Sequence, residues 1–286
     1  PKPYSWYQRE KFEGMEFRVL GDMDWSELSD SQKERVKRLS LRMNEIPAGS
    51  FLMGALPNDE DAGDNENPQH KVTLTKEMLV CRYACTQGLY ESVMGTNPSH
   101  FKGSTRPVEN VSWCDAVLFC NKLSEIEGLE PCYALPEPFE NDNDWSKKVK
   151  WNQDANGYRL PTEAEWEYCA RGGESHLYAG SNTIDEVAWY YDNSNGETHP
   201  VGQKKANGYG LYDMSGNVYE WVFDSAFREY NSSTTDPICI DKSSTKRVNR
   251  GGGWLFIAWF TRVSFRVRYG ASHRSNRQGF RFLRTP

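Results

Sequence analysis

Apolar residues in this 286-residue chain come in short runs cut by glycine, proline and polar positions. That pattern predicts strands and turns with few helices. Ile46-Pro-Ala-Gly-Ser-Phe-Leu-Met-Gly54 reads as a strand broken by turn residues, and His70-Lys-Val-Thr-Leu-Thr75 alternates as a half-buried strand does. Helical periodicity is confined to a few segments. Ser31-Gln-Lys-Glu34 forms a capping-box pattern ahead of Arg35, which predicts one amphipathic helix in an N-terminal extension over residues 1–42. Ser112 is placed to cap a helix with Trp113, Ala116, Val117, Cys120, Leu123 and Ile126 on one face and Gly128 at its end. Thr162-Glu-Ala-Glu165 is a second capping box, with Pro161 ahead of it and Gly172-Gly173 to stop the helix. A shorter helical turn is predicted from Thr86 to Met94. Residues 130–153, rich in Pro, Asn, Asp and Trp, read as a long surface insertion inside one domain spanning 43–286.

Composition sharpens this picture. A hydrophobic fraction of 37% suits a packed chain, and the mean hydropathy of -0.78 with apolar runs as short as Leu255–Phe260 predicts no membrane-spanning helix. Aromatic residues at 13%, with 23 Gly and 14 Pro, predict an irregular, loop-rich fold. Cys81 and Cys85 lie four apart with no His-x-x-x-His partner following, and the seven cysteines read as core thiols.

The net charge of -6 is unevenly spread: residues 241–286 hold 11 Lys and Arg against one acid, Asp241. Interleaved with strand-like Val and Phe, Arg262, Arg266, Arg268, Arg274 and Arg281 predict structural pairing with acids of the first 240 residues. A nucleic-acid groove is the disfavoured reading, and no nucleic-acid partner is expected. The acidic stretch Asp59–Glu66 lacks EF-hand spacing and reads as a solvated loop without function.

Four ordered segments carry a resemblance: Ile46–Gly54, Tyr158-Arg-Leu-Pro-Thr-Glu-Ala-Glu-Trp-Glu-Tyr168, Gly210-Leu-Tyr-Asp-Met-Ser-Gly-Asn-Val-Tyr-Glu-Trp221, and Arg250-Gly-Gly-Gly-Trp254 through Gly279-Phe-Arg281. Together they resemble the formylglycine-generating enzyme, or sulfatase-modifying factor, family over residues 43–286. The resemblance implies an α+β, C-type-lectin-like fold, irregular and with few short helices. In the catalytic branch two cysteines five apart, shortly after Arg-Gly-Gly, hold copper and oxidise a substrate cysteine. Here those positions are Phe256 and Thr261. Neither a phenyl ring nor a neutral hydroxyl replaces a thiolate, so no copper and no enzymatic activity are expected. A second branch holds non-haem iron through histidines and a carboxylate. It fits poorly, because the five histidines include no pair at close helical spacing.

The C-terminal pattern further resembles the variable proteins of diversity-generating retroelements, in which a lectin-like scaffold displays randomised side chains. The positions this resemblance implies as ligand-binding are Leu255, Phe256, Ile257, Trp259, Phe260, Phe265, Val267, Tyr269, Gly270, His273, Ser275 and Arg277, within a variable region of about 250–286. The residues themselves allow a second reading of Leu255–Phe260, as a fully buried strand. Apolar, aromatic filler points to a protein ligand more than to a sugar. The resemblance also implies a structural calcium ion at Asp213, Gly216, Val218 and Glu220, although the same residues suit a satisfied surface turn. A corresponding second loop is not recognisable near Ala188–Asn193. Location at a bacterial cell surface as an outer-membrane lipoprotein is implied by resemblance alone, with membrane attachment only through an N-terminal lipid anchor outside these residues.

Overall fold

Helices in this protein start where a short polar side chain caps them. The structure, a computed structural model, describes residue 20, residues 23–225 and residues 234–286. Helix α1 (Asp30–Ser40) is capped by Ser29, with Gln32 returning a bond to the Ser29 N–H at 2.9 Å. The box therefore begins two residues ahead of the predicted Ser31, because Ser31 already lies within the first turn. Helix α2 (Gln87–Met94) starts at Thr86 and stops at Gly95, whose φ of 77° a side chain would resist. Helix α3 (Trp113–Ile126) begins at the Ser112–Asp115 box. Helix α4 is Asn143–Lys148, α5 (Glu163–Arg171) has the predicted Thr162–Glu165 box and a left-handed Gly172, and α6 is Ile184–Val187.

Strands β1 (Met43–Ile46), β4 (Met78–Cys81) and β11 (Leu283–Arg284) form an antiparallel sheet in the order β1-β4-β11. Strands β2 (Gly49–Met53) and β3 (His70–Leu74) pair separately, as do β5 (Tyr133–Ala134) and β6 (Lys150–Trp151). A four-stranded sheet runs β10 (Gln278–Phe280), β7 (Tyr219–Trp221), β8 (Lys246–Arg250), β9 (Arg266–Gly270), with β10 parallel to β7. Two apolar clusters fill the interior. One packs α2 and α3 against Trp221, Phe280 and Phe282, and the other packs α5 against β3, β4 and Val248. Burying these side chains supplies the main driving force for folding.

The expected surface insertion is more deeply rooted than its composition suggests. Trp145 of α4 is 1% exposed and packs among the side chains of the first apolar cluster, which roots residues 130–153 in the core. Six cysteines are buried and Cys239 is partly so, all as free thiols. Burial pushes the Cys81 thiol up to about 11. The N-terminal helix is equally integrated, since Ser40 Oγ and Thr86 Oγ1 lie 2.6 Å apart in a buried contact.

Arg262, Arg266, Arg274 and Arg281 pair with acids from earlier in the chain, as their placement beside strand residues predicts, and Arg250 joins them. Arg250 meets Glu167 at 2.5 Å, Arg281 meets Glu220 at 2.9 Å, and Arg274 meets Asp115 at 2.7 Å. Arg266 pairs with Glu163. Arg262 is bound by Asp59 at 2.5 Å and Glu66 at 2.9 Å, which corrects the reading of Asp59–Glu66 as a solvated loop. Its outer residues are wet, but Glu66 is 1% exposed and serves as a structural counter-ion. Removing one partner of such a buried pair strands the other charge, at a cost of about 3–5 kcal/mol. Arg281→Met, which leaves Glu220 facing Trp166 alone, is expected to lose about that much stability in urea denaturation. A loss below about 1 kcal/mol would contradict this role.

Candidate ligand-binding surface

The residues of the implied binding surface lie on the β8–β9 connection, on β9 and just after it. Two left-handed glycines turn the chain out of β8: Gly251 at φ 91° and Gly252 at φ 73°. A Cβ on Gly252 would stand 2.6 Å from Thr261 Cγ2 and 2.8 Å from the Phe260 carbonyl, so the turn tolerates no side chain there. Trp254 then plugs the interior, its indole N–H donating to the Asn276 carbonyl at 2.8 Å.

Residues 255–260 do not form the buried strand that their apolar run also allowed. They make a turn and a single 3₁₀ helix, Ala258–Thr261, closed by the Thr261 hydroxyl donating to the Ala258 carbonyl at 2.8 Å. Leu255 is 40% exposed and Ile257 is 53% exposed. Phe256, Trp259 and Phe260 are half-buried, less open than a fully displayed aromatic patch, because they pack on one another. Trp259 lies 4.7 Å from Phe260 between ring centroids, and Phe256 lies 5.3 Å from Phe260. Phe265 is a correction: at 8% exposure it supports Trp259 and Phe260 from beneath, at 4.9 and 5.1 Å, instead of meeting solvent.

A second group continues the same surface. Tyr269 stacks on His273 at 5.1 Å, and Tyr219, buried between, links Tyr269 at 6.4 Å to Phe256 at 4.9 Å. Arg277 covers Phe256, its guanidinium carbon 5.5 Å from the ring centroid. Burial and that neighbouring guanidinium hold His273 below its ordinary value, which favours the neutral ring. Val267 and Gly270 are half-buried in β9, and a Cβ on Gly270 would come within 3.1 Å of Asn143 Oδ1. Ser275 points partly inward and bonds Gln278 at 3.1 Å. The sequence reasoning missed Tyr191, 59% exposed, whose N–H donates to the Phe256 carbonyl at 3.0 Å. Its aromatic neighbours Trp189 and Tyr190 were the available signal, but Tyr191 adjoins the surface only through tertiary contact.

The two positions where the catalytic branch carries cysteines hold a ring packed on Tyr219 and a hydroxyl bonded inside its own turn. The turn read as a calcium loop is only partly available for a cation. Both Glu220 oxygens are taken, one by Arg281 at 2.9 Å and the other by the Trp166 indole at 2.7 Å, so Glu220 fits a counter-ion role and not that of a ligand. Asp213 accepts from the Gly202 N–H at 2.7 Å through Oδ2, while its buried Oδ1 has no hydrogen-bond partner. Burial pushes this carboxyl up to about 6. Gly216 is left-handed at φ 83° and donates to the Gly251 carbonyl at 2.7 Å, and Val218 is buried. Near the unrecognised second loop, the Asn193 amide closes its own turn by donating to the Ala188 carbonyl at 3.0 Å.

A mixed α+β architecture with few short helices, and a long irregular crossing between β8 and β9, defines a C-type-lectin-like domain. The family described as the sulfatase-modifying factor enzyme 1-like domain matches residues 29–286, and the chain belongs to that family. The chain is 38% identical over 261 residues to the chaperone protein LppX of Paenibacillus barcinonensis, covering 81% of this chain and 87% of that one. It is 27% identical over 271 residues to the formylglycine-generating enzyme of Thermomonospora curvata, covering 79% and 86%. Among solved structures it superposes on Treponema denticola variable protein 1 with a TM-score of 0.78 at 38% identity, covering 85% of this chain and 95% of that one.

Beneath the entrance to the surface lies Glu109, fully buried. Its Oε1 accepts the His100 and Phe101 N–H groups, while Oε2 has no partner, and Phe101 meets Trp254 edge-on at 5.2 Å. Burial pushes the carboxyl up to about 7, partly offset by those two backbone bonds. The folded state thus holds its proton more tightly than the unfolded chain. Its stability contribution is present below the unfolded value near 4.5 and is lost as pH rises to about 7. Between pH 4.5 and 7, wild-type stability is expected to fall relative to Glu109→Gln by on the order of 2 kcal/mol in denaturant titrations, with no further relative change above that window. Parallel pH profiles for the two proteins would refute this.

Proposed function

We propose that the chain is a non-enzymatic ligand-binding protein whose β8–β9 connection and β9 display a diversified surface to a protein ligand. The observation that carries the reading is a division of labour along one segment. Arg250, Arg262 and Arg266 are buried and ion-paired, while Leu255, Ile257, His273 and the half-open rings between them face outward on that anchored backbone. A backbone held in place before binding lowers the ordering cost of recognition whatever side chains it carries. Aromatic and aliphatic groups with few rotatable bonds suit a protein partner. The likeness to a variable protein supports this reading, as does kinship with a chaperone. Among the described residues no helix is long and apolar enough to cross a membrane. Display at a bacterial cell surface through an N-terminal lipid anchor completes the proposal. A structural calcium ion is retained only for the turn of Asp213, Gly216 and Val218, on the strength of the unpartnered Asp213 oxygen.

Sequencing the locus in independent isolates tests the reading. Substitutions should gather at the outward positions, from Leu255 to Arg277, and spare Trp254, Arg262 and Gly279-Phe280-Arg281. A uniform scatter would remove it. The oxidoreductase alternative is favoured by kinship with formylglycine-generating enzymes. With Phe256 and Thr261 in place of thiols, the wild-type chain is expected to bind no Cu(I) at this site and to leave a cysteine-containing peptide unoxidised. Stoichiometric Cu(I) with peptide oxidation would reverse the assignment.

A further inference from the structure

Between β2, the end of α5 and the acidic loop lies a cleft of about 900 Å³ that neither the catalytic nor the variable reading uses. Its floor is aromatic: Phe51 and Tyr168 meet at 5.3 Å between centroids, and Tyr168 and Tyr209 at 5.5 Å. Leu52, 53% exposed, adds an apolar edge. The charged wall is one-sided, with Asp59, Glu60, Asp61 and Glu174 set against the single guanidinium of Arg171. Arg171 pairs with Glu167 at 2.6 Å, a carboxylate it shares with Arg250, and Asp59 pairs with Arg262 at 2.5 Å. Among the described residues Glu60, Asp61 and Glu174 enter no ion pair, and no group of acids there gathers as a metal-binding set.

Carboxylates above an aromatic floor attract an organic cation on an apolar stem, through Coulomb attraction on one side and ring-face contact on the other. An anion would be repelled, and a hydrated metal ion would gain nothing from the rings. The cleft also shares its walls with the ligand-binding surface. Asp61, which lines it, accepts the Trp259 indole N–H through its carbonyl at 2.8 Å. Leu177, on the same lining, accepts the Val263 N–H at 2.9 Å. We propose that the cleft receives an arginine or lysine side chain of the protein held on that neighbouring surface. This rests on the reading of that surface as ligand-binding. It adds a constant anchor, built from residues outside the C-terminal segment, beside contacts that differ from variant to variant.

Titration of the isotope-labelled full chain with n-butylguanidinium, followed by amide NMR shifts, examines the cleft alone. Saturable shifts are expected at Gly173, Ser175, Leu177 and Asn182, weakening as salt is raised. The neutral isostere n-butylurea should produce none. Glu60→Gln combined with Asp61→Asn, both exposed, should raise the dissociation constant about fivefold. Leu255→Ala with Ile257→Ala should leave it unchanged, because neither residue lines the cleft. Absence of saturation, equal shifts from butylurea, indifference to the carboxylate substitutions, or loss of binding in the Leu255/Ile257 variant would each overturn the cleft proposal. None of these touches the surface reading, which falls to a uniform scatter across isolates or to stoichiometric Cu(I) with peptide oxidation, and either result would leave the expected titration intact.

Discussion

Everything at the C-terminal end of this protein depends on guanidinium groups buried against carboxylates from distant parts of the chain. Arg250, Arg262 and Arg281 are each at most 1% exposed, and each is met by acids from other elements: Glu167, Glu66 and Glu220. A charge buried this way is tolerable only when paired and hydrogen-bonded, so the geometry around it is tightly specified. Arg250 shows how: besides Glu167 it donates to the carbonyls of Val263, Ser264 and Phe265, fastening the far end of the loop that starts right after it. The loop is long and irregular, yet both its ends are held by one side chain.

That constraint separates support from display. Trp254, Arg262, Val263 and Phe265 face inward, Thr261 closes the 3₁₀ turn, and residues 255–260 are the part of the loop that reaches solvent. Substitution at Leu255 or Ile257 changes exposed area, whereas substitution at Arg250 or Arg262 removes a counter-ion from a buried acid. The scaffold is shared with formylglycine-generating enzymes, and a frame fixed in this way leaves the chemistry to the side chains it does not need for its own support.

The acidic loop illustrates how one short segment takes two roles. Inward, Asp59 and Glu66 hold Arg262; outward, Glu60 and Asp61 border a cleft floored by Phe51, Tyr168 and Tyr209. Alternation of charge partners within eight residues has no period that a strand or helix would impose, so composition alone shows an acidic run and nothing more.

Local signals in the sequence were sufficient for much of the fold. The Ser112 and Thr162 boxes mark α3 and α5, since the capping bonds lie within four residues, and β3 shows its alternation because one of its faces is buried. The basic C-terminal balance correctly implied ion pairing, and the absence of cysteine at Phe256 and Thr261 was legible as a loss of thiol chemistry. Other features depended on groups remote in sequence. An apolar run such as Leu255–Phe260 has the same composition in a buried strand and in a half-open turn, and only the glycine turn and the Arg250 bonds select the latter. Phe265 became support and Tyr191 became a neighbour of the surface through contacts spanning the fold. Glu220 was claimed by Arg281, 61 positions away. The sequence by itself determined where the main helices start and which side chains stand at Phe256 and Thr261, because caps, periodicity and side-chain type are local properties. Only the tertiary structure decided which acids are counter-ions, which rings meet solvent and where a cleft opens, because burial and pairing depend on what the rest of the chain brings alongside.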